Sequence, residues 1–558
     1  MKKFLKNNLF LILTILLSLP AAFALFHKGF YGASDDLHVA WLYEMNRLFK
    51  SWQFPPRFVP DLSFGFGYPL FNFVFPLPFY IGEIFHLLGL NFVDSVKTVF
   101  GISFIASGVT MFLFLSEIIS PALGLAGALI YVYTPYRSTD IYVRGAFGEA
   151  FSFIFLPLAL YAIIRIYKSA SRKDIGVLSF SLAALILSHD IVSYMFFPFL
   201  LLFVVMLYFI SPNKKTFILK SAIGIILGLI VSLYFWFPAV KDSSLMIYGT
   251  VFNYLDHFPT LLQLITPYFG YGASVPGPYD GMSFYIGTLN WVLVILGTVI
   301  AIFNWKKIDK LKKSILIWAL ITFVIAFFMM NFRSSFLWSH LPYLPYFQFP
   351  WRFLSVSVFA AAVLGGISID RIASLHLNDK SNTNISLFIV YCLLLILTTI
   401  GMWHPKSYLM KSESFYKDTY LSTTDTGESS PVWSVRFMEH TPAGPAGVIS
   451  GSALITQTFR NTTVHEYRVA AERPSRLVEN TLYFPGWKIY IDGTETEIQF
   501  QDPEYRGLMT FRIPEGNHLV RVAFGDTRLR SVSNAVSLIS VGMLAVSGLG
   551  TILWKKRR

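Results

Sequence analysis

Long apolar runs recur along this 558-residue sequence and constrain its fold more than any other feature. A helix needs roughly 20 apolar residues to cross the ~30 Å hydrocarbon core of a bilayer. Charged residues make up only 14% of the chain, against about 25% in an average globular protein. We therefore predict a mainly α, polytopic membrane helix bundle of about 12 spans. The predicted spans lie near residues 9–26, 98–117, 121–135, 149–167, 175–188, 191–210, 217–237, 285–303, 314–331, 352–371, 385–402 and 533–554.

The basic residues are distributed asymmetrically over the segments between these runs. A few segments hold 21 of the 45 Lys and Arg residues but few of the 32 acidic residues: the N-terminus, 165–174, 214–220, 304–313, 371–380 and 555–558. Cytoplasmic loops carry such an excess of positive charge. We predict an inner (plasma) membrane protein with both termini in the cytoplasm. The net charge of +13 then gives no reason to expect a nucleic-acid partner.

Two apolar stretches need a separate interpretation. The segment FNFVFPLPFYIGEIFHLLG (71–89) contains two prolines, Glu83 and His86, and a crossing there would place residues 165–174 outside. We interpret it as a half-inserted or surface helix. The first run ends in SLPAAFA, which resembles a signal-peptidase site; we favour a retained membrane anchor over cleavage.

The sequence changes character between the eleventh and twelfth predicted spans. Residues 403–532 alternate apolar and polar positions, with turn sequences at 492–493 and 515–517 between strand-like runs. This pattern predicts a β-sandwich or jelly-roll-like domain, and the topology places it outside the cell. The predicted domains are a multi-span module (1–402, with a first outer loop at 27–97), the outer β domain (403–532) and a final span with a basic cytoplasmic tail (533–558).

The first outer loop contains the pair Asp35-Asp36 a few residues beyond the first span. Of two adjacent carboxylates, one can act as a general base while its neighbour tunes it or binds a cation. A carboxylate before an apolar-periodic stretch is also typical of a helix N-cap. Both interpretations stay open for Asp35 and Asp36.

A second charged cluster lies in the outer segment TPYRSTDIYVRGAFGEAF. Arg137, Asp140 and Arg144 are three and four residues apart, so a helical turn would place them on one face. Glu149 lies where the next span begins. The cluster suits the binding of an anionic lipid headgroup, and internal salt bridges among its members are equally compatible with the spacing.

Five further ionisable residues lie in or beside the outer loops. Arg57 and Asp61 belong to an aromatic, proline-rich loop, either as a mutual ion pair or with Arg57 bound to a phosphate. His189 and Asp190 lie between two closely spaced spans, where ionisable residues are either functional or part of a solvated turn. Arg352, at the start of the tenth span, either snorkels to the interface or reaches inward to a phosphate.

Missing motifs exclude several common chemistries. The sequence has no Gly-Lys-Ser/Thr phosphate loop, no GxGxxG, no HExxH and no Cys/His spacing typical of a metal site. Its single cysteine, Cys392, cannot form a disulfide within the chain. We therefore predict no metal ligands and no ATP-driven transport by this chain alone.

A series of short motifs spread over nearly the whole chain carries a family resemblance. The motifs are GASDD, PPRFVPDLSFGFGYPLFNFVFPLPFYI, RGAFGEAFSFIFLPL, LSHD, FQFPWRFL, YFPGWKIYIDG and PEGNHLV. In this order they resemble bacterial membrane proteins labelled 6-pyruvoyl-tetrahydropterin-synthase-related, although nothing here resembles a soluble pterin enzyme. Those proteins are similar to the C-type (GT-C) superfamily of polytopic glycosyltransferases.

The resemblance implies an inverting membrane glycosyltransferase that acts at the extracytoplasmic face. The donor would be a polyprenyl-phosphate-linked sugar, and the acceptor an envelope glycan, a lipid or a protein. The acidic residue usual in the first outer loop matches Asp35 or Asp36 as the base. Candidates for stabilising the leaving phosphate, by charge and placement, are Arg57, Arg137, Arg144 and Arg352. Some members use a divalent cation, so this cofactor stays open while none is certain.

Two other functions remain as alternatives to an enzyme. A transporter or flippase of lipid-linked sugars would need ionisable residues deep inside several spans, whereas here they gather at the outer ends. A non-catalytic, glycan-binding scaffold would have outer loops whose charges pair only with one another.

Overall fold

The computed structural model describes residues 2–169, 171–247, 253–376, 393–395, 397–417, 430–435 and 438–556. Cys392 and half of the predicted span 385–402 lie outside the described residues. The α-helices are α1 (Lys2–Ser18), α2 (His38–Lys50), α3 (Leu70–Phe73), α4 (Leu77–Leu87), α5 (Phe92–Ser116), α6 (Pro121–Val132), α7 (Pro135–Ser138), α8 (Phe147–Ser152), α9 (Phe155–Ser169), α10 (Arg172–Ser188), α11 (Asp190–Ile210), α12 (Lys214–Val231), α13 (Leu233–Asp242), α14 (Leu261–Ile265), α15 (Thr288–Asn304), α16 (Lys310–Met329), α17 (Ser335–His340), α18 (Leu354–His376), α19 (Glu413–Lys417) and α20 (Arg528–Lys556).

Four strands have two residues each, and the longer strands form the sheet of the C-terminal domain. They are β1 (Phe30–Tyr31), β2 (Met246–Ile247), β3 (Tyr408–Leu409), β4 (Ser430–Pro431), β5 (Ala446–Arg460), β6 (Val464–Leu482), β7 (Trp487–Ile491), β8 (Thr494–Thr496), β9 (Leu508–Ile513) and β10 (Gly516–Phe524). Two antiparallel two-residue pairs, β1 with β3 and β2 with β4, join segments that are far apart in the sequence.

Six helical stretches in the described part of the chain are long and apolar enough to cross a bilayer, and each coincides with a predicted span. They are Asn8–Phe26, Phe92–Ser116, Phe147–Ser169, Asp190–Ile210, Lys310–Met329 and Pro350–Asp370. Helix α12 and the helical segment after it would form a seventh, bent by 66°. The protein is therefore a multi-pass membrane protein. The count of about 12 spans is not confirmed and stays a prediction.

The segment predicted to lie on the membrane surface forms two short helices, α3 and α4. The 11 residues of α4 extend about 16 Å, which is too short to cross the hydrocarbon core. One side of α4 buries Phe79 and Glu83, and the other exposes Ile84 and Leu87. Glu83 accepts a hydrogen bond from Asn46 of α2 at 2.6 Å, which holds α4 against α2 within the first outer loop.

Ion pairs join helix ends that the charge distribution predicts on the cytoplasmic side. Glu117, just after α5, binds Arg165 at 3.3 Å and Lys168 at 3.0 Å, both near the end of α9. Lys312 of α16 binds Asp370 of α18 at 2.7 Å. These contacts bring together the ends that the charge distribution places on one side.

The C-terminal domain is a six-stranded sheet in the order β5-β6-β10-β7-β8, with β9 paired to β6, and all pairings are antiparallel. The predicted sandwich or jelly roll is therefore corrected to one sheet within the described residues. The turn predicted at Asp492-Gly493 is confirmed, because it joins β7 to β8. Both turn residues have positive φ, 50° and 84°, as a primed hairpin turn requires.

The second predicted hairpin is wrong, since β9 and β10 pair with β6 rather than with each other. Strand β10 lies along residues 464–471 of β6, and β9 lies along residues 475–482. Strand β6 has 19 residues, enough to pair with two shorter strands placed end to end. The segment 514–515 therefore passes from one strand to the next along the same edge of β6.

The β domain contacts the membrane module at the motif YFPGW. The Leu482 amide, just before the motif, donates to the carbonyl of Phe66 in the first outer loop at 2.7 Å. The ring of Trp487 packs edge-on against Phe58 with centroids 5.3 Å apart. The motif thus forms the contact between the sheet and the first outer loop.

Glu479 is a buried carboxylate at the centre of a polar cluster in the β domain. It is 1% exposed and binds Arg460 (3.1 Å), Tyr467 (2.6 Å), Thr481 (3.0 Å) and Nδ1 of His465 (2.8 Å). Burial by itself raises the pKa of Glu479, but the hydrogen bond from His465 and the nearby charges hold the pKa below its ordinary value.

We expect this carboxylate to make the β domain acid-sensitive. A group with a lowered folded-state pKa stabilises the fold above its unfolded pKa, and that contribution is lost as the pH falls through the folded value. The thermal midpoint of the full-length protein in detergent should decrease as the pH is lowered below 4.5, the ordinary carboxyl pKa. This decrease should be smaller for Glu479→Gln. The solvent-exposed Glu495→Gln is the control. Equal pH slopes for wild type and Glu479→Gln would contradict the prediction.

Candidate functional site

A π-helical turn places the first outer loop against Arg144. Residues Thr139–Arg144 form this turn, a rare geometry that is frequent at functional sites. It ends at Gly145, whose φ is 71° and where a Cβ atom would come 3.0 Å from the Asp35 carbonyl oxygen. The Asp35 amide donates to the carbonyl of Arg144 at 2.9 Å. The wide turn and the glycine together permit this close approach.

Arg144 is the centre of a buried charged cluster. Its Nη1 donates to Oδ1 of Asp140 at 2.6 Å, to Oε2 of Glu149 at 2.7 Å and to the Tyr136 hydroxyl at 3.2 Å. The Tyr136 hydroxyl donates to the second Glu149 oxygen at 2.5 Å. Asp140 and Glu149 are fully buried. Such carboxylates are costly to bury unless a cation and further hydrogen bonds compensate them, and Arg144 with Tyr136 supplies both.

One edge of the Arg144 guanidinium remains open. Nη1 makes all of the hydrogen bonds above, and Nε and Nη2 have no hydrogen-bond partner among the residues that the structure describes. The side chain is 11% exposed, and its Cζ lies 4.7 Å from the centre of the Trp351 ring. A guanidinium edge with two adjacent N–H groups binds carboxylate or phosphate oxygens in a bidentate manner.

Asp140 differs from Glu149 although both bind Arg144. Burial raises the pKa of Asp140 well above its ordinary range, and the negative charge of Glu149 raises it further. The second oxygen of Asp140, Oδ2, is buried without a hydrogen-bond partner in the described part of the structure. Asp140 is therefore the member of the cluster that is able to hold a proton on Oδ2.

His189 and Arg352 border the cluster. The charge of Arg352 acts on Asp140, Glu149 and His189. Burial lowers the pKa of His189 to about 3, so the ring is neutral at pH 7. Its Nδ1 accepts the backbone N–H of Val192 at 3.3 Å and caps α11. Of the predicted residues, the structure thus brings Asp35, Asp140, Arg144, Glu149, His189 and Arg352 into one region.

The two carboxylates of the Asp pair have different surroundings. The Asp36 carboxylate accepts a hydrogen bond from Lys411 at 2.5 Å and one from Tyr416 at 3.4 Å, whereas Asp35 contacts Arg144 through its backbone amide. The N-cap residue of α2 is Leu37, so the N-cap interpretation of the pair is wrong. Asp36 binds the segment that carries β3 and α19.

Arg57 and Asp61 lie outside this region and do not pair with each other. Arg57 is 2% exposed and donates to the Tyr234 carbonyl at 2.8 Å and to Asn534 at 3.0 Å. Asp61 forms its ion pair with Arg47. The prediction of Arg57 as a phosphate ligand is therefore corrected, because its guanidinium links the first outer loop to α13 and α20.

Arg137 and Asp190 also depart from their predicted roles. Arg137 is fully buried and donates to the carbonyls of Ala150 (3.0 Å) and Ser103 (3.2 Å). The predicted single face of Arg137, Asp140 and Arg144 fails because the turn after α7 is π-helical. The Asp190 side chain is 55% exposed and 3.9 Å from His189. The interpretation of a solvated turn therefore fits Asp190 but not His189, which is buried.

Sequence reasoning missed Tyr136, Trp351 and Lys411. Tyr136 and Trp351 each directly precede a predicted arginine, Arg137 and Arg352, and that adjacency was the available signal. Nothing in the sequence pairs Lys411 with Asp36, since 375 residues separate them.

The described residues do not fit a metal site built from side chains. Among them, no group of three or more His, Cys, Asp and Glu side chains is placed to hold a metal ion. Asp140 and Glu149, the buried carboxylates of this cluster, both bind Arg144 instead. No step through a metal ion is derived for this site.

Comparisons with known proteins give partial likenesses. No family model matches the chain. The chain is 24% identical over 262 residues to an uncharacterized protein of Lactococcus lactis subsp. cremoris, covering 45% of this chain and 42% of that protein. The chain thus spans less than half the length of this curated relative.

Two solved structures are partly similar to this chain. One is the arabinofuranosyltransferase AftD from Mycobacteria, with 13% identity and a TM-score of 0.46 over 72% of this chain and 27% of that chain. The other is an oligosaccharyltransferase of Archaeoglobus fulgidus, with 12% identity and a TM-score of 0.43 over 74% of this chain and 59% of that chain. Fold and site define a multi-pass membrane protein with a buried charged cluster beside its first outer loop.

Proposed function

We propose that the protein is an inverting membrane glycosyltransferase of the GT-C type. It moves a sugar from a polyprenyl-phosphate donor to an acceptor hydroxyl at the extracytoplasmic face of the inner membrane. The observation that carries this proposal is the hydrogen bond from the Asp35 amide to the Arg144 carbonyl, which fixes the first outer loop to the residue whose Nε–Nη2 edge is open. In this proposal the Asp35 carboxylate supplies the base and the open guanidinium edge of Arg144 supplies the anion site.

In the proposed reaction, Asp35 takes the proton of the acceptor hydroxyl as the hydroxyl oxygen attacks C1 of the donor sugar. The bond between C1 and the phosphate oxygen breaks, and its electron pair remains on the lipid phosphate. The open edge of Arg144 stabilises the negative charge that develops there, and the charge of Arg352 adds to it. Attack from the face opposite the leaving phosphate inverts the configuration at C1.

The surroundings of the Asp pair favour Asp35 over Asp36 as the base. In this proposal the ion pair with Lys411 gives Asp36 a structural role. Asp36 instead holds the segment 407–417 against the first outer loop. The acceptor in this proposal is an envelope glycan, a lipid or a protein, and the β domain lies outside the cell.

Transfer from labelled polyprenyl-phosphate sugars, measured in membranes, tests the proposal. Loss of a general base costs about 10²–10⁴-fold in rate, so Asp35→Asn should lose at least 100-fold, while Asp36→Asn should lose less than about tenfold. Asp94→Asn, at a half-buried position of the same loop whose carboxylate pairs with Lys97, serves as the control and should transfer like wild type.

The outcomes separate the proposal from its alternatives. Full transfer by a folded Asp35→Asn protein would remove the catalytic assignment. A flippase would move lipid-linked sugar across vesicles without forming a new glycosidic bond. A scaffold would bind glycan with no turnover in any variant.

A further inference from the structure

The outer loop 253–287 contacts Trp351 but provides none of the charged groups of the cluster. Trp351 is 2% exposed, and its indole N–H donates to Oγ of Ser274 at 3.1 Å. Ser274 is a loop side chain that forms a hydrogen bond with the FPWRF motif. The same indole ring lies 4.7 Å from the Arg144 guanidinium carbon.

Ser274 is held in place from two sides. Its hydroxyl donates to Oδ1 of Asp280 at 2.9 Å, and Nδ1 of the buried His257 lies 3.0 Å from its oxygen. Asp280 also accepts the Val275 amide at 3.0 Å and the Gln263 side chain at 2.9 Å. Since the single hydroxyl proton of Ser274 goes to Asp280, its oxygen lone pairs face Trp351 and His257.

Aromatic rings hold the orientation of the indole. Phe349 stacks on Trp351 at 4.9 Å and 25°, and Phe284, from the loop, stacks on it at 5.7 Å and 28°. A cation over an indole face is attracted to the ring, most strongly where water is excluded. The direction of the Arg144 plane therefore depends on the indole as well as on Asp140 and Glu149.

We propose that loop 253–287 positions Arg144 through Ser274 and Trp351, and so sets the affinity of the site for the donor phosphate. This inference rests on the proposed function, in which Arg144 binds that phosphate. Ser274 and Trp351 are positioning residues: they touch Arg144 or its support, not the reacting atoms. The ion pairs with Asp140 and Glu149 hold Nη1 of Arg144, while the Trp351 indole sets the direction of the open Nε–Nη2 edge.

The test measures binding of polyprenyl phosphate to the full-length protein in nanodiscs. Trp351→Leu removes the ring and should raise Kd roughly tenfold. Ser274→Ala removes one hydrogen bond and should raise Kd about threefold. Ser274→Thr keeps the hydroxyl and should restore wild-type binding. Trp318→Phe deletes another buried indole N–H, bonded to the Phe199 carbonyl at 2.8 Å, and should leave Kd unchanged.

A second readout does not depend on the donor. Phenylglyoxal labels exposed arginine side chains, so the labelling of Arg144, followed by mass spectrometry, should be faster in Trp351→Leu and Ser274→Ala than in wild type or Trp318→Phe. Unchanged Kd and unchanged labelling in both variants would overturn the positioning role. A third outcome is that both variants label faster but the wild type binds no polyprenyl phosphate. The positioning of Arg144 would then stand, and only the proposed function would be overturned.

Discussion

Arg144→Met should destabilise the charged cluster and abolish sugar transfer. The substitution leaves Asp140 and Glu149 fully buried with no cation between them. Breaking a buried ion pair by removing one partner costs about 3–5 kcal/mol. We expect a large drop in the thermal midpoint of the purified protein in detergent, monitored by size-exclusion chromatography. The exposed Arg333→Ala, in another loop, is the matched control and should be neutral.

A triple variant separates stability from function at this site. Arg144→Met combined with Asp140→Asn and Glu149→Gln removes the stranded charges along with the cation, and such neutral replacement of a buried ion pair is often tolerated. We expect stability to return while transfer stays lost, because the open guanidinium edge is absent. Recovery of transfer in the triple variant would contradict the role of Arg144, and an unchanged midpoint for Arg144→Met would contradict the energetic argument.

Arg530→Met should loosen the β domain from the membrane module. Arg530 is fully buried, and it binds Asp242 at 2.8 Å and the Pro485 carbonyl at 2.6 Å. Its guanidinium also lies 4.9 Å from the centre of the Phe484 ring. Removing this cation leaves Asp242 with the hydrogen bond from Asn72 and a carbonyl of the YFPGW motif without its donor, at a cost of up to about 3–5 kcal/mol for a buried pair.

Limited proteolysis of the full-length protein measures this loosening. A C-terminal fragment should be released faster from Arg530→Met than from wild type. Arg528→Ala lies two residues away on an exposed position of the same helix and should behave like wild type. Indistinguishable digestion of the three proteins would show that Arg530 does not hold the domains together.

Arg57 shows why a charge pattern alone misassigned part of the site. In sequence it lies among prolines and aromatics of the first outer loop, beside a carboxylate at Asp61. In the structure its partners come from α13 and α20, at sequence separations of 177 and 477 residues. A guanidinium binds a carbonyl, an amide oxygen or a phosphate with the same donors, so residue type cannot tell these partners apart.

The sequence by itself determined the membrane character of this protein and the position of its apolar spans. Both follow from local runs, because a span must satisfy its own backbone and bury its own side chains in lipid. The Asp492-Gly493 turn was likewise predictable, since the two positive φ values depend on the turn residues themselves. The C-terminal domain was predictable as β but not as one sheet, because strand pairing joins residues far apart in the chain.

Only the tertiary structure decided the composition of the candidate site. It separated Asp35 from Asp36, which have the same side chain and adjacent positions but different neighbours. It also assigned Arg144 to the cluster and Arg137 to internal carbonyls, through a π-helical turn that the spacing did not predict. The physical reason is that burial and hydrogen-bond partners set the chemistry of a charged group. In a chain threaded repeatedly through a membrane, those partners come from distant segments.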